Sequence, residues 1–564
     1  MKISLLLSIC VVACGGAQPA PHNSESWEAL SNRVLDHYYK LFPGSAVGMG
    51  FHEYDGQMRD LSNAALTNQL QTLHADLEAV KAYQPMDPHE REERDTLRIG
   101  LQAKLFGLED LDSLHRNPMA VAGDFNIDDY ILRDYAPVAD RAAAIVKVCG
   151  AAKEHLDQAR ALLKLPAPKT FVETAIMQFK GLADFVDKDV PDAMKDAPPE
   201  LAPALEQCKT AFVTHAQWLE QQLPAATNDF AIGKDKLVAM LAQNDGIKID
   251  LKSLEEMAKA NLDRDYKAIE AAAHEVDPKR PVVDVVNSVF NDRPTPDTVM
   301  AEATKQLEDL RGFITQHKIC TLPSNAQAIV KETPSFARYN SASLSGAGTF
   351  EKKDLPSYYY ISQPDPTWPK EMQATYLPSH FNLLFTSVHE VYPGHFVNGE
   401  LVKQQHSKVL ATFGTYTTVE GWAHYTEEMM YDEGLTNHDP RAHIAQLTEA
   451  LLRDVRFVVA IGEHAHGMSV DEATKLFATK AFQDPGNAKQ QAVRGTFDPG
   501  FLSYTVGKLG IMKMRTDWKE KHPNGTLMEF HDAFLAHGIE PLPVIRRVLV
   551  GDDAVFDNRC EDGC

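Results

Sequence analysis

Apolar side chains return at three- and four-residue steps from about residue 26 to residue 319, and that period commits most of the chain to α-helices. Leu251, Leu254, Met257, Ala258, Leu262, Tyr266 and Ile269 line one helix face, with Asp250 positioned to cap its start and Pro278 beyond its end. Residues 297–314 read the same way. Pro85, Pro118, Pro166, Pro168, the Pro198-Pro199 pair, Pro294 and Pro296 cut the pattern into helices of ordinary length. No solenoid-period repeat or low-complexity tract interrupts it. With 564 residues, 44% of them hydrophobic and 24% charged, the chain can bury one large core or a few smaller ones. The expected fold is mainly α, a multi-helix body with little sheet.

The texture changes between residues 340 and 362. Residues 341–348, rich in Ser, Ala and Gly, read as a flexible turn region. Ser357-Tyr358-Tyr359-Tyr360-Ile361-Ser362 is β-prone and aromatic, the best strand candidate in the chain. A small sheet here, just before the motif described next, would present an edge to an extended peptide, with Tyr360 as a substrate contact. A plain two-stranded structural hairpin fits the same residues.

After Pro378, residues 379–392 read as a helix with Leu384, Phe385 and Val388 on its apolar side. It carries His389-Glu390-Val391-Tyr392-Pro393-Gly394-His395. Zinc hydrolases need neutral imidazoles as ligands, a carboxylate to take a proton from the activated water, and one open coordination position. Histidines four apart on a helix share a face. Six apart, on an unbroken helix, the second turns away by about 120°. Pro393-Gly394 supplies a remedy, because proline removes a helical hydrogen bond and glycine tolerates unusual dihedrals, so the chain can loop out and return His395 to the metal side. Glu420 lies 25 residues beyond His395, at the start of an amphipathic helix and beside the small Gly421. It would complete a three-ligand set. Glu427 and Glu428 are alternatives, but they sit in what reads as an acidic surface pattern.

The blocks His389-Glu390-Val391-Tyr392-Pro393-Gly394-His395 and Glu420-Gly421-Trp422-Ala423-His424-Tyr425 resemble the bacterial domain-of-unknown-function family 885, whose members are regarded as zincin-like and mostly helical. Similar signals run from Pro43-Gly44 to Tyr54 and from Pro499 to Lys508. That family in turn resembles, distantly, the thermostable metallocarboxypeptidases, thimet oligopeptidase and angiotensin-converting enzyme. The resemblance implies a helical shell around a deep cleft, with a small sheet beside the metal site. It also implies zinc as cofactor, Glu420 as third ligand and Glu390 as general base. Tyr504, between Gly500 and Gly507, would be the oxyanion donor, with His464 next in line. Arg494 and Lys508 would bind a substrate carboxylate. Two positions depart from the family pattern. Phe396 stands where a second histidine is frequent, and Ala460 stands where an acid is expected ahead of Gly462 and His464.

The first residues, Met1-Lys2 followed by a short apolar run, form an export signal too short to span a bilayer. Val11-Val12-Ala13-Cys14 resembles a lipobox, which marks Cys14 for lipidation and residues 14–25 as a tether. The expected location is the cell envelope, with membrane contact through the lipid anchor only. Of the five remaining cysteines none has zinc-finger spacing. Cys560 and Cys564 are close enough in sequence to pair, and an odd count leaves at least one thiol free. A net charge of -23 with no basic run excludes nucleic acid as partner.

The chain is thus expected to have a helical wall over residues 26–335 and a catalytic region over 336–564. The expected activity is that of a zinc peptidase acting on short peptides or chain ends. A lipid-anchored peptide-binding protein without catalysis, or a zinc hydrolase of other amides or esters, would use the same residues. The sequence leaves the oligomeric state open.

Overall fold

The computed structural model describes residues 25–556 apart from 324, 335–340 and 366. Cys14, the export signal, Cys560 and Cys564 lie outside the described residues. The architecture is mainly helical, with one small three-stranded sheet. None of the described helices is long and apolar enough to cross a membrane.

Three hydrophobic cores organise the helices. The first joins Trp27–Leu41, Asn63–Ala82 and Pro88–Leu105 through Leu30, Val34, Leu77 and Leu97, and it recruits Val409, Leu410 and Phe413 from far along the chain. In the second, Val138–Leu162, Lys169–Asp184 and Leu201–Glu220 pack through Val148, Phe179 and Phe212. A disulfide between Cys149 and Cys208 ties the first of these helices to the third, and Cys320 remains a buried free thiol. The largest core runs from Phe106 to Val555, so it draws on both sides of the 335/336 boundary.

The site is built within that largest core. Helix α1 (Leu251–Val276) begins as its sequence dictates, with Asp250 Oδ1 accepting the Ser253 N–H at 2.7 Å. Strands β1 (Ile329–Glu332), β2 (Ala342–Ser345) and β3 (Tyr358–Ile361) pair in the order β1-β3-β2, β1 parallel and β2 antiparallel to β3. The aromatic run is therefore the central strand. The edge beside the 389–395 segment is β2, formed from residues that read as a flexible turn. Its short side chains hid a strand that cross-strand pairing stabilises.

Helices α2 (His380–Glu390), α3 (His395–Val402), α4 (Tyr416–Asp432), α5 (Pro440–Ala465), α6 (Pro485–Phe497) and α7 (Ser503–Lys521) complete this region. Ser379 caps α2 and Thr415 caps α4, each through a side-chain oxygen. Helices α4 and α7 approach through glycines: a Cβ on Gly507 would sit 2.0 Å from the Thr417 carbonyl oxygen, and one on Gly421 would sit 2.5 Å from the Gly507 Cα. Any larger residue at either position forces the helices apart.

Candidate metal centre

The six-residue histidine spacing works because α2 stops at Glu390 and α3 starts at His395. Between them the chain folds back so tightly that a Cβ on Gly394 would lie 1.8 Å from the His389 carbonyl oxygen. Only glycine fits there. The Tyr392–Pro393 peptide is cis. Trp422 of α4, itself 0% exposed, donates its indole N–H to the Pro393 carbonyl at 2.9 Å, which fastens the loop to the helix that carries Glu420.

The two imidazole rings stand 4.8 Å apart and nearly perpendicular, at 87°. Glu420 Oε2 lies 3.4 Å from His389 Nε2 and 3.5 Å from His395 Nε2. An ion bound tetrahedrally at about 2.0–2.1 Å holds its ligand atoms about 3.3–3.4 Å apart, so these separations suit three ligands of one zinc-sized cation. Glu420 Oε2 is buried and makes no hydrogen bond of good geometry, the condition of an atom placed for a cation. These three residues fit a metal ion. A second His/Glu group, Glu92, His537 and Glu540, does not fit as well. His537 Nδ1 lies 2.6 Å from Glu92 Oε1, a charge-assisted hydrogen bond rather than two ligands sharing an ion.

Behind the first cluster stands an acid whose sequence context reads as surface. Glu427 is 0% exposed, and its Oε1 accepts Nδ1–H of His389 at 2.6 Å, leaving Nε2 free to face the cation position. Arg453 Nη2 lies 3.4 Å from the same oxygen, and His424 Nδ1 lies 3.3 Å from Glu427 Oε2. Burial favours the neutral acid, yet Arg453, His424 and His389 together hold Glu427 well below the usual carboxylate range. Glu420 is held down in the same way, by His395 and His389 against its burial. Burial lowers His389, but Glu420 and Glu427 outweigh it and raise the group to about 10.

Glu390 follows His389 directly, and its Oε2 accepts the Leu344 backbone N–H of β2 at 2.9 Å. The edge strand thus holds the carboxylate of the residue that follows His389. Tyr359, opposite Leu344, reaches α2 through a 3.2 Å hydroxyl contact with Ser387. Alternation along β3 sends Tyr360 to the other face, its ring tilted at 36° to that of Tyr358, so Tyr360 is not brought to the site.

Tyr504 is 7% exposed and accepts a 2.7 Å hydrogen bond from the Tyr416 hydroxyl. Tyr416 lies one turn before Glu420 on α4, and its hydroxyl is raised by burial, then by Tyr504 and Glu420. Arg453 stacks over Tyr504 at 5.8 Å. Arg494 stands at the same margin, bound to Asp498 at 2.9 Å.

Besides Tyr360, two more expected site residues are placed elsewhere. Lys508 is 0% exposed and ion-paired with Glu428, whose own side chain is 21% exposed, so α7 spends this lysine inside the core. His464 lies three turns beyond Arg453 on α5, about 16 Å along the axis. Its Nε2–H donates to the Gly495 carbonyl at 2.9 Å and its Nδ1 accepts the Ile232 N–H at 3.4 Å. Both ring nitrogens serve the backbone.

Tyr416 and His424 are site residues that the linear pattern does not single out, although offsets of −4 and +4 from Glu420 place them along its helix face; Glu427, an alternative ligand in the sequence, is instead the partner of His389 at offset +7. Arg453 and the Leu344 N–H carry no such local signal.

The fold and this cluster define a mainly helical protein with a His-His-Glu group of metal-ligating geometry. The chain belongs to the family described as "Bacterial protein of unknown function (DUF885)", whose model matches residues 43–549. It is similar in structure to a presumed lipoprotein of unknown function from Shewanella oneidensis, with a TM-score of 0.77 and 24% identity over 93% of this chain and 100% of that one. A presumed lipoprotein from Colwellia psychrerythraea is similar at a TM-score of 0.76 and 18% identity, over 93% of this chain and 98% of that one. At these identities the likeness shows a shared fold. No curated protein matches the chain.

Proposed function

We propose that this protein is a zinc-dependent peptidase of the cell envelope, exported by its N-terminal signal and tethered at Cys14. The observation that carries the reading is the position of Glu420 Oε2, buried, without a hydrogen bond of good geometry and 3.4–3.5 Å from two imidazole nitrogens, with Glu390 next to His389 in sequence. A purely structural ion has no use for that additional carboxylate. Zinc held by His389, His395 and Glu420 would supply a Lewis acid for a carbonyl and an acidified water as nucleophile.

The remaining chemistry belongs to the chain. Glu390, steadied by Leu344 N–H, accepts the proton of the attacking water and returns it to the leaving amine. Strand β2 offers its outer edge to an extended peptide beside Glu390. Tyr504 accepts from Tyr416, which leaves the Tyr504 O–H free to donate to the oxyanion as it develops. Glu427 fixes the His389 ring through Nδ1–H.

Metal analysis of the purified chain, followed by incubation with a mixed peptide library, tests the reading. About one zinc per chain is expected, with cleavage that a chelator stops and added zinc restores. A zinc-loaded protein that binds library peptides and leaves them all intact would sink it.

A further inference from the structure

Of the three arginines beside the Tyr416–Tyr504 pair, one faces no carboxylate. Arg453 is held by Glu449 at 2.6 Å and by Glu427 at 3.4 Å, and Arg494 is held by Asp498 at 2.9 Å. Arg456, one turn beyond Arg453 on α5, has no such partner. Its Nε donates to Gln491 Oε1 at 2.9 Å, and its guanidinium lies 5.0 Å from the Phe501 ring and 5.1 Å from the Tyr504 ring. Among the described residues its Nη1 and Nη2 make no hydrogen bond or ion pair.

Arg456 as a residue is only 7% exposed. Burial pulls it below its ordinary value; Tyr504 opposes that, and Arg494 and Arg453 add to it. A buried cation with free donors and like-charged neighbours is costly until an anion arrives. The margin is open to one, since Tyr416 is 41% exposed and the Arg494 side chain is 35% exposed.

We infer that Arg456, with Arg494 at its rim, is a carboxylate-binding subsite, so that the metal centre takes peptides by their free C-terminal end. The inference rests on the peptidase reading and narrows it to a carboxypeptidase-type substrate. Tyr504 touches Arg456 and Tyr416 lies beside Glu420, so the tyrosine pair spans the two positions. A planar guanidinium with two free nitrogens matches a carboxylate two-pronged, which a backbone amide cannot imitate.

Calorimetric titration of the zinc-loaded full chain carrying Glu390→Gln, with N-acetyl-Ala-Phe as the free acid and as the amide, tests this without requiring hydrolysis. The acid is expected to bind at least about tenfold more tightly than the amide, the factor set by a charge-assisted pair. Adding Arg456→Gln should erase the difference, and Arg456→Lys should keep part of it. Equal binding of acid and amide by the protein with Arg456 intact overturns the inference, whether or not the Arg456 variants fold. Failure of both probes to bind overturns it too, as does full acid preference in Arg456→Gln. Acid-selective binding by a protein that cleaves no peptide would instead count against the peptidase reading alone.

Discussion

Glu427→Gln removes one charge from the partner of His389 and almost nothing of its size. In the native chain Glu427 is 0% exposed, receives His389 Nδ1–H at 2.6 Å, and faces Arg453 at 3.4 Å and His424 at 3.3 Å. A glutamine oxygen still accepts from Nδ1–H, but it no longer raises the basicity of the imidazole. Loss of such a partner costs about 10- to 100-fold in metal affinity, or about 1.4–2.8 kcal/mol. Stability falls as well, because Arg453 is left with Glu449 alone at 2.6 Å. Breaking a buried pair outright costs about 3–5 kcal/mol, and the surviving partner should hold the loss to roughly half of that. Zinc affinity read by competition with a chromophoric chelator, beside urea unfolding of the metal-free protein, separates the two effects. Glu449→Gln is the control, since it loosens Arg453 without touching His389. If Glu427→Gln binds zinc within twofold of the parent, or Glu449→Gln weakens zinc equally, Glu427 does not orient the ligand.

His389→Ala, His395→Ala and Glu420→Ala should each lose about one zinc per chain by metal analysis, because two protein ligands hold the ion weakly; full occupancy in His395→Ala refutes the role of the Pro393-Gly394 fold-back. Glu390→Gln should keep its zinc while peptide hydrolysis falls about 10²-fold or more. Tyr504→Phe should lower kcat by about 10²- to 10³-fold with little change in KM, whereas an effect on KM alone would make Tyr504 a binding group. His464 is pushed by burial down to about 4, although its bond to the Gly495 carbonyl acts the other way. Its folded value lies below its unfolded one, so the stability it contributes is complete above about pH 6.5 and is lost as the pH falls toward 4, by up to about 3 kcal/mol. Urea unfolding across that range should show the gap between parent and His464→Gln shrinking as pH falls, and a constant gap would show that His464 does not titrate on unfolding.

Local pattern alone makes the helices legible. The apolar period from Leu251 to Ile269, capped by Asp250, forms a helix because a stripe of that spacing has one way to be buried, and the cap needs only its own neighbours. The same applies to Pro393-Gly394, since a residue that cannot continue a helix and one that accepts close backbone contact act within a few positions. Tertiary structure decides the rest. Glu427 looks like a surface charge and Lys508 like a substrate-binding one in a linear reading, and both are buried partners in the fold, because their counter-charges Arg453 and Glu428 sit on other helices or reach them only after α4 and α7 close on Gly421 and Gly507. Residues 342–345 become a strand only by pairing with β3, and His464 is claimed by backbone groups of Ile232 and Gly495 from distant segments. Where the energy of a residue lies in a partner far along the chain, its role is set by packing, and no window of sequence contains it.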